Sequence, residues 1–307
     1  MNWLGKVAAF KLLSTIPGGR TCYRFAQENL THSLNPTPAR VGQKIDVGLL
    51  YWKWLSAGPS LDKLPPSNHV DFGSGWHPTI PLLFYSLGMD RQYLFDAQPL
   101  LSRKMVDETV KTFLKIVTDP AWPHRGMLRR LPEVNQSNDL SWIDYLKKMG
   151  MTYHAPSDGM FPNIVEKIDV VTSTQVLLHI GRPQLAHYFR QILKSLRVGG
   201  KFLATIHLND LHAVAGNGIS QYNHLKFSPE FWDNWINSSL LGYNRFKARD
   251  YREVLEESGF KIRHFDATGP TDNDLRELDQ IPIHDFFKRY SRDELGTKHL
   301  FFIAEKQ

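Results

Sequence analysis

The chain has 307 residues, a formal net charge of +6, and apolar and charged fractions of 42% and 22%, the balance of a globular protein with a sizeable core. Its one cysteine, Cys22, excludes an internal disulfide framework and cysteine-rich metal sites; it fits a reducing compartment, so a cytoplasmic location is expected. The densest basic clusters are pairs such as Arg129-Arg130 and Lys147-Lys148, which excludes a basic-aromatic nucleic-acid-binding pattern, and no run reaches membrane-spanning length.

At the start of the chain, Trp3, Leu4, Val7, Phe10 and Leu13 recur at helical spacing. Lys6 and Lys11 interrupt the apolar run, so no signal peptide is read there. Two readings stand for this helix, packing onto the domain or lying on a membrane surface. A further helix is expected over 44–57, with Val47, Leu50, Tyr51 and Trp54 along one side. Gly58-Pro59-Ser60 and Pro65-Pro66-Ser67 then punctuate the approach to the first strand. Residues 1–67 thus read as a helical cap or lid on a core spanning 68–307.

Within that core, strands and helices alternate. Strands are expected at 70–72, 92–95, 151–153, 168–172, 201–206, 260–265 and 300–304. Helices are expected at 80–87, 99–117, 140–149, 184–196, near 229–240 and at 248–258. Segments near 119–150 and 207–245 exceed what a connection needs and read as insertions. The alternation predicts an α/β fold with a parallel sheet covered on both faces, and ligands in such sheets bind beyond the carboxyl ends of the strands.

The most informative stretch is Val70-Asp71-Phe72-Gly73-Ser74-Gly75, a short strand running into a Gly-x-Gly turn, with Pro78 where a helix begins. Glycines let a backbone approach a ligand closely, and the N–H groups of such a turn and its helix favour electron-rich ligands. Asp96 ends the second strand about twenty residues later, where an acidic side chain can accept bonds from both ribose hydroxyls of a nucleoside.

These residues, together with Asp169-Val170-Val171 and Leu193-x-x-Leu196-x-x-Gly199-Gly200, resemble the motif series of class I S-adenosylmethionine-dependent methyltransferases of small-molecule type. The resemblance covers about 68–307 and implies a doubly wound, mostly parallel seven-stranded sheet with an antiparallel C-terminal strand. It implies S-adenosyl-L-methionine as cofactor. Asp71 would orient the loop and the ammonium end, Gly73, Ser74 and Gly75 would pass under the methionine and ribose, Asp96 would hold the ribose, and Ala97 and Gln98 would flank the adenine. His154-Ala155-Pro156-Ser157-Asp158 lies where the family supplies adenine-edge contacts, which nominates Ala155 and Pro156; a solvent-facing loop is the competing reading. Thr174 and Gln175 would sit beside the sulfonium. One departure is plain: the place of the family's third loop glycine is taken by His77.

Methyl transfer to a hydroxyl needs a base near the acceptor, a role suited to histidine. His179 follows Gln175 by four positions, so one helical turn would put both on a face, and some small-molecule methyltransferases resembling this chain place a catalytic histidine there. His207, directly after the fifth strand, is the second candidate, and Tyr51 could close over the cofactor. Trp52, Trp54, Tyr222, Phe227, Phe231, Trp232 and Trp235 would cover the acceptor. No metal site and no Gly-x-Ser-x-Gly elbow are read. The sequence reading is therefore a small-molecule O-methyltransferase, with a sugar, glycolipid or natural-product hydroxyl as acceptor. The alternative is a non-catalytic module that keeps the fold or the cofactor.

Overall fold

A computed structural model describes residues 3–29, 31, 33–56, 68–134, 140–157, 167–214 and 218–307. The expected turns at 58–60 and 65–67, and Asp158, lie outside these residues.

The seven strands are β1 (Asn68–Phe72), β2 (Arg91–Phe95), β3 (Met151–His154), β4 (Ile168–Thr174), β5 (Leu196–His207), β6 (Lys261–Asp266) and β7 (His299–Glu305). They form one sheet in the order β3-β2-β1-β4-β5-β7-β6. The pairings of β1 with β2 and β4, and of β2 with β3, are parallel. β7 runs antiparallel to β5, because Gly199 N bonds Lys306 O while Leu208 N bonds Lys298 O. β1 is buried along its whole length, which accounts for its lack of polar alternation.

The helices are α1 (Trp3–Thr15), α2 (Gly19–Asn29), α3 (Pro38–Ser56), α4 (Thr79–Ser86), α5 (Arg103–Val117), α6 (Trp142–Lys148), α7 (Arg182–Ser195), α8 (Leu211–Val214), α9 (Pro229–Phe231), α10 (Ala248–Glu257), α11 (Asp272–Asp279) and α12 (Arg292–Gly296). Local chemistry sets several starts: Ser102 caps α5 through Met105 N, and Thr271 with Asp274 and Ser291 with Glu294 close capping boxes on α11 and α12. Three expectations are corrected. The buried stripe of α3 is Val41, Ile45, Gly48, Tyr51 and Leu55, so Val47, Leu50 and Trp54 are only half-buried. Gly48 decides that stripe, since an added Cβ there would stand 2.7 Å from Leu83 Cδ2. Pro78 precedes the first turn of α4, one residue outside the position expected for it. The helix near 229–240 is instead a three-residue turn, α9, followed by a π turn over Trp232–Ile236.

The chain divides into two compact units. One comprises residues 34–174, 190–203 and 304–307, and its core joins Ile45 of α3, Leu82 and Leu83 of α4, Leu94 of β2 and Val106, Val110 and Phe113 of α5. The other comprises residues 1–33, 175–189 and 204–303, with a cluster of Tyr222, Leu225, Leu278, Phe287, Tyr290 and Leu295.

Candidate functional site

In the unit built on β1–β4, the Gly-x-Gly turn leaves the carboxyl end of β1 with φ of +85° at Gly73 and +66° at Gly75. Both values lie in the region that favours glycine, and the space a Cβ would occupy at Gly75 is open. Gly75 N donates to both oxygens of Asp96, at 3.1 and 3.2 Å, so turn and carboxylate meet as the sequence predicts. With the Tyr153 hydroxyl as a further partner, the carboxylate still keeps acceptor capacity. Burial pushes the Asp96 carboxyl up to about 7; the Gly75 N–H opposes the rise, the nearby Asp71 charge adds to it, and Tyr153 and Lys44 oppose it.

The neighbouring strand ends converge on the same carboxylate. Asp96 N bonds His154 O, and Ser157 N bonds Asp96 O, which brings Ala155 and Pro156 beside the end of β2. The His154 ring stacks on Phe95 with centroids 4.7 Å apart. Ala97 and Gln98 are exposed. Their loop is pinned by Tyr153, whose hydroxyl donates to Gln98 O and accepts from Leu100 N. Ser74 is buried and its hydroxyl faces Asp71 O at 3.4 Å.

Asp71 ends a buried polar chain that runs across three strands. Gln92 Nε2 donates to Pro81 O, which turns Oε1 toward His69 Nδ1 at 3.0 Å and places a proton on that nitrogen. Thr172 Oγ1 lies 2.7 Å from His69 Nε2 and 3.0 Å from Asp71 Oδ1. The Thr172 hydroxyl donates to Asp71 Oδ1 and so ties β4 to the end of β1. Burial pushes the His69 pKa down while the Asp71 charge pulls it up.

Sequence reasoning missed Lys44. From α3 its amine donates to His77 O at 2.9 Å, and it feels the charges of both Asp71 and Asp96 while burial lowers its pKa. The signal was available, because Lys44 continues the inward row of Gly48, Tyr51 and Leu55 at helical spacing. His77, standing for the third glycine, donates Nε2–H to Leu34 O at 2.7 Å and has its pKa lowered to about 4 by burial and by Lys44. Tyr51 donates to Ser173 O at 3.0 Å and lies 3.1 Å from Thr174 Oγ1, at the end of β4.

In the other unit, Gln175 has φ of +59°, a strained value for a side-chain-bearing residue. Its Oε1 accepts His207 N at 2.7 Å, so Gln175 and His207 are brought together. The expected helical turn from Gln175 to His179 is absent: a single 3-10 turn, Leu177–His179, takes its place. His179 is exposed, and its Nδ1 lies 2.6 Å from Gly242 O. That carbonyl fixes the proton on Nδ1 and leaves Nε2 as the basic nitrogen. Packing around the ring lowers its pKa, and the Gly242 bond opposes this. His207 packs on the His299 ring at 4.7 Å, and burial with that neighbour lowers its pKa to about 4. Tyr222 and Trp232 are buried, whereas Phe231 and Trp235 are exposed. Among the described residues no group of three or more His, Cys, Asp or Glu side chains could hold a metal.

No family model matches the chain, and no curated protein sequence does so either. Among solved structures it is similar to magnesium protoporphyrin IX methyltransferase from Synechocystis with bound S-adenosylhomocysteine: 14% identity, TM-score 0.48, covering 94% of this chain and 99% of that one. It is also similar to the N-methyltransferase NodS from Bradyrhizobium japonicum, at 12% identity and TM-score 0.37, covering 80% of this chain and 81% of that one. A third similarity is to the [4+2]-cyclase SpnF, at 13% identity and TM-score 0.41, covering 80% and 76%. The fold stands on the strand pairings themselves, and the function is read from the residues at their ends.

Proposed function

We propose that this chain is an S-adenosylmethionine-dependent methyltransferase acting on a small molecule, with a hydroxyl as acceptor. The observation that carries the reading is the pairing of Asp96 with Gly75 N: a buried carboxylate at the end of β2, held by an open glycine turn and retaining lone pairs for a diol. The residues fit the cofactor. Asp96 would accept from both ribose hydroxyls, and the backbone of Gly73, Ser74 and Gly75 would pass beneath the chain linking ribose and methionine. Asp71 would accept from the ammonium end, and Lys44 supplies a cation suited to the carboxylate end. Ala97, Gln98, Ala155 and Pro156 would border the adenine, and Thr174 and Gln175 the sulfonium.

When bound, S-adenosylmethionine supplies an activated methyl carbon, so the chain's own task is alignment and removal of the acceptor's proton. We assign the proton to His179 Nε2, because Nδ1 is already committed to Gly242 O. His207 is the weaker candidate, since a histidine whose pKa is lowered to about 4 is a poor base. A sugar, glycolipid or natural-product hydroxyl remains the proposed acceptor, and residues 1–67 the proposed cap.

The test is calorimetry with S-adenosylhomocysteine, followed by transfer of a tritiated methyl group to a panel of hydroxylated acceptors. Binding with transfer supports the assignment. Binding without transfer across a broad panel supports a non-catalytic cofactor-binding module, and no binding refutes both.

A further inference from the structure

Among the described residues, two that are not glycine hold a positive φ, Gln175 at +59° and Arg245 at +49°. Strained backbone of this kind persists where surrounding bonds over-determine it. Gln175 N bonds Thr205 O at 3.0 Å, and its Oε1 accepts from His207 N. The Arg245 guanidinium donates to His224 O and Phe227 O at 2.9 and 2.8 Å and to Ser228 O at 3.3 Å, and it lies 4.7 Å from the centre of the Trp232 ring. One strained residue precedes the turn that carries His179, and the other ends the segment 242–245 that crosses it.

That turn, Leu177–His179, is three residues long and has no side-chain cap. So short a piece of 3-10 helix holds itself poorly, and its carbonyls need donors from elsewhere. Asn244 supplies them. Its backbone N–H bonds Leu178 O at 2.8 Å, and its side-chain amide donates to Leu177 O and Ile180 O at 3.0 and 2.8 Å. The other end of the amide is held in turn, since Oδ1 accepts from Phe246 N and from the hydroxyl of buried Tyr251, each at 3.1 Å. These partners fix which way the amide lies, because its nitrogen faces two carbonyls and its oxygen two donors.

Two residues earlier in the same segment, Gly242 O accepts from His179 Nδ1 at 2.6 Å. The backbone there is closely packed: a Cβ on Gly242 would stand 2.7 Å from Ser238 O. Segment 242–244 therefore grips both the backbone of the turn and the imidazole that the turn carries.

We propose, resting on the reading of His179 as the base, that Asn244 is its positioning residue: it holds the turn so that Nδ1 meets Gly242 O and Nε2 is left as the basic nitrogen.

The test is a pH titration of the full chain, with isotopically labelled histidine, followed by nitrogen NMR. His179 is assigned as the signal lost in His179→Ala. In the parent, it should carry its proton on Nδ1 and titrate below 6.5, because packing around the ring lowers its pKa and the Gly242 bond only opposes this. Asn244→Ala releases the turn, so the preference for the Nδ1–H form should be lost and the titration should move up toward 6.5 as the packing loosens. Tyr251→Phe removes only the hydroxyl behind the amide and should move both signals the same way by less; it also serves if Asn244→Ala does not fold. Circular dichroism should match the parent in both variants. Where methyl transfer is measured, kcat in Asn244→Ala should fall about tenfold or more, as for a displaced catalytic group, with the acceptor KM little changed. The NMR readout needs neither cofactor nor acceptor. A His179 tautomer and midpoint that folded Asn244→Ala and Tyr251→Phe leave unchanged would overturn the proposal whatever the turnover. Full turnover in His179→Ala would instead remove the base assignment, and the positioning role with it.

Discussion

Replacing Asp96 by Asn should stabilise the free protein and weaken its grip on the cofactor. Asp96 is 7% exposed, and its carboxyl is pushed from the ordinary 3.8 to about 7 chiefly by burial. That is about three powers of ten in ionisation, or about 4 kcal/mol of folded-state penalty at alkaline pH, at about 1.4 kcal/mol per power. The sign follows from proton binding. Between about pH 4 and pH 7 the folded state holds the proton more tightly than the unfolded chain, so stability falls as pH rises through that window and levels off above it. Asparagine has no charge to bury, and its carbonyl can still accept from Gly75 N. Its amide N–H groups need partners, which offsets about half the gain and leaves about 2 kcal/mol. Thermal unfolding without ligand should therefore place Asp96→Asn a few degrees above the parent at pH 8.5, with the gap closing toward pH 4.5. A gap that is independent of pH, or that widens on acidification, would refute the reasoning. In the same samples S-adenosylhomocysteine should bind the variant at least tenfold more weakly, since a charge-assisted acceptor becomes a neutral one.

Three further changes probe the surrounding groups. His179→Ala should lower kcat on the order of 10²-fold while leaving cofactor affinity unchanged, and the acidic limb of the parent's kcat profile should fall below pH 6.5, because packing lowers this histidine's pKa. Unchanged turnover would remove it as the base. Thr172→Val removes the hydroxyl between His69 and Asp71 and should cost about 1–3 kcal/mol in urea unfolding for two buried polar groups left unlinked; a neutral change would mean that the links carry no stability. Lys44→Met should shift the pH of half-maximal cofactor binding upward, because the Lys44 charge opposes the rise of the Asp96 pKa; a downward shift would contradict the assigned electrostatics.

The strand-helix alternation and the Gly73-Ser74-Gly75 turn were legible because they rest on local chemistry: apolar runs of strand length, punctuating glycines, and a carboxylate at a fixed distance. Strand bounds came out within a few residues, with β5 the largest miss. The sequence reading begins it at Lys201, whereas it starts at Leu196, since the pairing of Gly199 and Gly200 with Lys306 is a contact across more than a hundred residues. The stripe of α3 was misplaced because Trp54 and Val47 outrank Gly48 in apolarity. The close approach to Leu83 that makes glycine necessary is tertiary. Lys44 was missed although it continues that buried row, because its partners lie on β1, just past the end of β2 and in the loop between β1 and α4. The small helices α8, α11 and α12 have too few apolar positions to show a period, although Thr271-x-x-Asp274 and Ser291-x-x-Glu294 were readable caps.

The electrostatics of this unit also bear on what kind of ligand it takes. Asp71 and Asp96 lie within each other's field, and Lys44 is a cation that senses both. Burial is the main cause of the raised Asp96 pKa; a ligand bearing a sulfonium or an ammonium offsets the smaller part that comes from Asp71, and one bearing a diol needs Asp96 ionised to accept both hydroxyls. At pH 7 a carboxyl with pKa about 7 is half protonated in the free protein. Binding that fixes its ionised form must then expel about half a proton per ligand, approaching one at pH 6 and nearly none at pH 8.5. Calorimetric titration with S-adenosylmethionine in buffers of different ionisation heat measures that number directly. Proton release that grows as pH falls from 8.5 to 6, and is absent in Asp96→Asn, would tie the ribose and the charge to this carboxylate. Proton uptake, or release that survives the substitution, would place the titrating group elsewhere, with the His69–Thr172–Asp71 chain as the next group to test.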